Sequence, residues 1–106
     1  MSVDEQRKHP RLRPPRSVVV AWQSGMERDV SRVESLAVGG LFLRTKKKVA
    51  VRSMIQILLD MPMGQVRGRG VVRRHQEQQG LGVQFIGMEP EDRARLLRQL
   101  RQFSET

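Results

Sequence analysis

Arg7 and Arg11 stand four residues apart in Arg7-Lys8-His9-Pro10-Arg11, and a pair of arginines on one short stretch is the most usable chemistry in the chain. A guanidinium grips a phosphate with two N–H donors, donates to O6 and N7 of guanine, and lies flat on a base, three tasks a lysine does poorly. Pro10, Pro14 and Pro15 keep the stretch from continuing as a helix or a central strand. Residues 1–16 therefore read as a flexible basic arm, able to order as it closes over an anionic ligand. The surface it would close against is the double glycine Gly39-Gly40, set between Ser35-Leu36-Ala37-Val38 and Leu41-Phe42-Leu43. Adjacent glycines between strand-forming runs cost backbone entropy, which predicts either a positive φ or a backbone closely approached by something else.

Other chemistries are poorly supplied. The chain has no cysteine, and His9 and His75 are too few and too far apart for a zinc site. No nucleophile is patterned with a base and an orienting group, so no catalysis is expected. Gly68-Arg69-Gly70 and Gly80-Leu81-Gly82 lack the strand-to-helix setting and the Gly-Lys-Ser/Thr ending of a phosphate loop. Twenty Lys and Arg against eleven Asp and Glu give a net charge of +9, which favours an anionic partner without naming it. Trp22, Phe42, Phe85 and Phe103 are the only aromatics and most sit in apolar patterns that read as core, so a stacking platform for single-stranded nucleic acid is not expected. The charged N-terminus and the absence of a long apolar run predict a soluble cytoplasmic protein with no membrane insertion.

The elements that must position the arginines and the glycine turn follow from periodicity. Ser17 to Gln23 reads as a buried strand and Ser24-Gly25 as a turn. Arg28 to Leu36 alternates around Val30 and Val33 and pairs back, and Leu41 opens a third strand. Arg44 to Lys48 is too charged for a core and reads as an exposed loop. Met54 to Leu59, Val66 to Arg74 and Leu81 to Ile86 complete six strands, with Gly68 and Gly70 permitting a bulge. From Pro90 the period lengthens to about 3.6: Leu96, Leu97, Leu100 and Phe103 predict one apolar face of a helix over about 90–103. Pro90, Glu91 and Asp92 suit its start, Arg98 and Arg101 its end. Six strands and then one helix, in a chain of one-domain length, predict an all-β fold. It is a six-stranded antiparallel barrel over 17–106 that includes a C-terminal α-helix.

In this setting the chain resembles the PilZ domain family. The resemblance rests on RxxxR at Arg7 to Arg11, the turn ending Gly39-Gly40-Leu41, Gly-x-Val-Val-Arg from Gly70, and Gly-Leu-Gly-Val-Gln-Phe from Gly80 to Phe85. It implies a six-stranded barrel with a C-terminal helix that serves bacteria as a receptor for cyclic di-GMP. Arg7 and Arg11 match the first motif, whose arginines contact phosphates and guanines. The second motif, (D/N)xSxxG, is degenerate. Anchored on Gly40, it places Ser35 at the Asp/Asn position and Ala37 at the Ser position. Asp29-Val30-Ser31 would satisfy its first half but puts Glu34 where the glycine belongs.

The resemblance thus implies a ligand site of Arg7, Lys8, Arg11, Ser35, Ala37 and Gly40; by charge alone, the basic strand residues Arg67, Arg69, Arg73 and Arg74 retain attraction for two phosphates. An Asp accepts from both N1–H and N2–H of guanine, whereas Ser35 offers one hydroxyl and Ala37 only backbone. Each lost bond costs about 1–3 kcal/mol, roughly one to two decades of affinity. The expected function is a non-enzymatic cyclic di-GMP receptor that presents a changed surface to an effector protein. The rivals are a PilZ-like adaptor that does not bind the nucleotide, and a basic small barrel that binds nucleic acid.

Overall fold

The computed structural model describes residues 11–104. Six strands, β1 (Val19–Ser24), β2 (Glu27–Ala37), β3 (Gly40–Arg44), β4 (Met54–Met61), β5 (Gly64–Gln76) and β6 (Gly80–Gly87), precede one helix, α1 (Pro90–Ser104). All neighbours pair antiparallel, and the order β1-β2-β3-β6-β5-β4 closes into a barrel because β4 returns to β1. The architecture is the one the periodicity predicts. Strand alternation drives it: Val18, Val20 and Trp22 of the first strand region, Ile55, Ile57 and Leu59 of β4, and Leu81 and Val83 of β6 point inward into one apolar core. Trp22 is satisfied there by donating from Nε1 to Ser31 Oγ at 2.9 Å, so the indole carries no unpaired polar atom into the core.

Two expected core positions lie outside it. Val33 is buried but Val30 is 62% exposed, since residues three apart on a strand face opposite sides. On α1, Leu96 is buried whereas Leu97 is 43% exposed, one residue being a 100° step around a helix. The buried partner of Leu96 is instead Gln99. Its Oε1 accepts from the Met63 backbone N–H at 2.8 Å, which makes a polar side chain acceptable on the packed face. Asp92, in the first turn, accepts from the Arg67 backbone N–H at 2.9 Å. Arg95 donates to the Gln65 carbonyl at 2.8 Å. The helix thus covers the stretch of β5 that runs beyond its pairing with β6, leaving no open edge there. Among the described residues, no helix is long and apolar enough to cross a membrane.

Candidate ligand site

The β2–β3 turn shows which of its two explanations applies to the double glycine. Neither Gly39 nor Gly40 has a positive φ; among the described residues the glycines with positive φ are Gly25 and Gly64. Gly40 is instead closely approached: a Cβ there would overlap the Val83 carbonyl oxygen and lie 3.3 Å from the Gln84 Cα. A Cβ added at Gly39 would meet nothing within 4 Å, and the Gly39 carbonyl accepts from the Phe85 N–H at 2.9 Å. The turn is thereby tied down onto β6.

The end of the arm lies against β2. Leu12 and Leu36 exchange both backbone hydrogen bonds at 2.8 Å, so Arg11 and Arg13 stand on either side of an anchored residue. Arg11 Nη1 donates to Ser35 Oγ at 3.4 Å. Arg7 and Lys8 fall outside the described residues.

Cross-strand register assembles the rest. Ser35 of β2 faces Phe42 of β3, Phe42 faces Gly82 of β6, and Gly82 faces Arg74 of β5. A second row on the same outer face runs Ala37, Gly40, Gln84, Val71. The first row is bracketed by two irregularities, between Val33 and Ser35 in β2 and between Val72 and Arg74 in β5. Each β-bulge inserts an extra residue and suspends the alternation. In β5, Arg73 and Arg74 are consequently both exposed and both line the site, and in β2 Glu34 stands beside Ser35. Gly82 puts no side chain between Arg74 and Phe42, and the Arg74 guanidinium lies 5.8 Å from the centre of the Phe42 ring. Arg73 Nε donates to Gln84 Oε1 at 2.6 Å.

The outcome is a cavity of about 710 Å³ on the outer wall of the barrel. Its lining includes Arg11, Ser35, Ala37 and Gly40, together with Arg13, Arg73 and Arg74. The anionic residue among its walls is Glu34, which pairs with Arg44 at 3.3 Å. Chemically it offers four guanidinium groups, a serine hydroxyl and a glutamine amide around an open concave surface, suited to an anion with planar parts. A larger groove of about 880 Å³ runs over β1, β2, β4 and the start of α1, and it collects Arg67 and Arg69. The four strand arginines therefore divide between two faces. Asp29 also lines that groove, and Ser31 is buried under Trp22, so an Asp29–Ser31 register of the second motif would place its two polar residues away from Arg11.

Sequence reasoning missed Phe42 as a site residue by reading it as core. It occupies the opposite face of β3 from Leu41 and Leu43, a position its spacing of one residue from each could have revealed. Arg13 was legible as a cation but nothing in the sequence placed it on the cavity.

A family model described as PilZ domain matches residues 5–102. No curated protein matches by sequence. Solved structures with the same fold include MrkH of K. pneumonia in complex with c-di-GMP, 18% identical with a TM-score of 0.74 over 93% of this chain and 52% of that one. The inhibitor of motility MotI/DgrA of Bacillus subtilis is 15% identical with a TM-score of 0.74, over 95% and 52%. The PilZ domain of YcgR from Escherichia coli, with c-di-GMP, is 16% identical with a TM-score of 0.70, over 94% and 92%. This chain spans about half the length of the MrkH and MotI/DgrA chains.

Proposed function

The chain belongs to the PilZ domain family, and from that premise we propose that it is a non-enzymatic receptor for cyclic di-GMP acting as an adaptor in second-messenger signalling. The observation that carries the reading is the convergence of Arg11, Ser35, Ala37 and Gly40 on one cavity with three further arginines. Cyclic di-GMP presents two phosphates and two guanines, and guanidinium groups serve both. The structures of the YcgR domain and of MrkH, each with c-di-GMP, support this ligand for the fold. The residues lining this cavity are the reason to bring it to this chain.

In this reading, residues 11–16 stay docked through Leu12 and Leu36 while Arg7 and Lys8, upstream of that anchor, close over the bound nucleotide. The covered surface is then what an effector protein meets. A second reading, an adaptor that works by protein contact alone, is favoured by one specific observation: Ser35 and Ala37 supply little hydrogen bonding to a guanine edge.

Calorimetry with cyclic di-GMP decides between them. Saturable heat with a dissociation constant in the micromolar range supports the receptor. No heat at ligand concentrations of about a hundred micromolar, where binding weaker than about −5.5 kcal/mol begins to escape detection, favours the adaptor.

A further inference from the structure

Arg74 sits where two constraints on β5 and β6 meet. The bulge between Val72 and Arg74 turns two consecutive arginines to the outer face, and Gly82 clears the space between Arg74 and Phe42. A Cβ on Gly82 would come within 3.3 Å of Arg74 Nε and 3.4 Å of its Cβ, so the absence of a side chain lets the Arg74 stem lie down on the strand. The guanidinium then reaches the Phe42 ring at 5.8 Å, while Phe42 itself is only 5% exposed. Arg73 is engaged through Gln84. Arg74 has no carboxylate partner among the described residues; the ion pairs there belong to Arg44, Lys47 and Arg95.

We propose that Arg74, laid over Phe42 and open to the cavity, is a stacking platform for a purine base of the ligand, at the opposite end of the Ser35–Phe42–Gly82–Arg74 row from Arg11. The inference rests on the cyclic di-GMP reading and adds a recognition element to it. Three strand spacings of about 4.8 Å separate β2 from β5, about 14 Å in all. Both guanidiniums reach inward along that backbone span, Arg11 to Ser35 and Arg74 to Phe42, so one nucleotide ligand can touch both. An arginine with an aromatic ring behind it keeps its plane fixed, so little side-chain freedom is lost when a base stacks on the other face. Stacking asks only for a flat π-surface, which compensates for guanine-edge contacts that Ser35 and Ala37 do not make.

The test is calorimetry with cyclic di-GMP on the wild type, Arg74→Ala and Arg74→Lys, at low salt and at 0.5 M NaCl, on the order of the ionic strength at which exposed charge contacts are strongly screened. Removal of a stacked base contact is expected to weaken binding about tenfold. Arg74→Lys is expected to stay near the alanine level, because it keeps the charge and loses the plane. The loss should persist at high salt. Recovery by lysine to within about twofold of wild type, an ordinary point-charge effect, overturns the platform, as does an Arg74→Ala affinity equal to wild type. No wild-type binding overturns the receptor reading itself, an outcome distinct from either. Melting temperatures within a few degrees among the three proteins establish that the comparison is between folded chains.

Discussion

Arg11 and Ser35 are joined by a hydrogen bond of 3.4 Å, so the second arginine of RxxxR already rests on the residue at the Asp/Asn position of the second motif. The bond is made possible by the backbone pair between Leu12 and Leu36, which fixes the neighbouring residue. A group held near its working position loses less entropy on binding than one drawn from a free tail.

Arg11→Ala should therefore weaken cyclic di-GMP binding by more than loss of a cation outside the cavity would. A charge-assisted hydrogen bond is worth about 1.5–3 kcal/mol, or a factor of about ten to a hundred in Kd. Titration calorimetry checks it. An Arg16→Ala control, at an exposed position outside the cavity, should change affinity by less than about threefold, in keeping with a screened surface charge.

Ser35→Asp combined with Ala37→Ser should tighten binding. The carboxylate would accept from N1–H and N2–H of guanine and the new hydroxyl adds one more partner, at about 1 kcal/mol or more for each bond. Ala37 is only 7% exposed but lines the cavity, so the serine adds a single oxygen to the wall facing the ligand. Arg11 would partly compete, because its guanidinium lies within reach of the new carboxylate. Competition binding against wild type at one ligand concentration reads the difference, and unchanged affinity would show that this turn does not read a base edge.

The two glycines of the turn should respond unequally to the same substitution. Gly40→Ala drives a methyl into the Val83 carbonyl oxygen, an overpacking cost of about 1–3 kcal/mol. It should lower the melting temperature by several degrees whether or not ligand is present. Gly39→Ala meets no neighbouring atom and needs no positive φ. It should leave the melting temperature unchanged or raise it slightly, since the unfolded chain loses freedom. Differential scanning calorimetry of both variants tests the contrast.

Gln99→Leu should destabilise the fold despite being more apolar. It removes the Oε1 acceptor from the part-buried Met63 N–H and sets an apolar side chain against that donor, a cost of about 1–3 kcal/mol. Urea denaturation should show a lower midpoint with an unchanged slope. A midpoint equal to or above that of wild type would mean that water replaces the side chain.

The barrel was legible because period-two alternation recurs in Val18–Trp22, Ile55–Leu59 and Leu81–Val83, and because the period changes at Pro90. What escaped the sequence has a common physical origin. Arg73 and Arg74 share a face only because a bulge offsets β5 from β6, and a register shift is a property of paired strands, not of either strand alone. Phe42 reads as core by hydrophobicity, yet its side is set by Leu41 and Leu43. Gln99 is buried on α1 because Met63 supplies a donor from the β4–β5 turn. In the candidate site, Arg11, Ser35, Ala37 and Gly40 were legible through the family resemblance. Arg13 and Phe42 required the fold.

The clash that a side chain at Gly40 would make with β6 also bears on what that glycine can signify. The contact between β3 and β6 demands it whether or not a nucleotide is bound, so its presence reports on the barrel. Ligand use by this chain turns instead on Ser35 and Ala37, the two positions where it departs from (D/N)xSxxG.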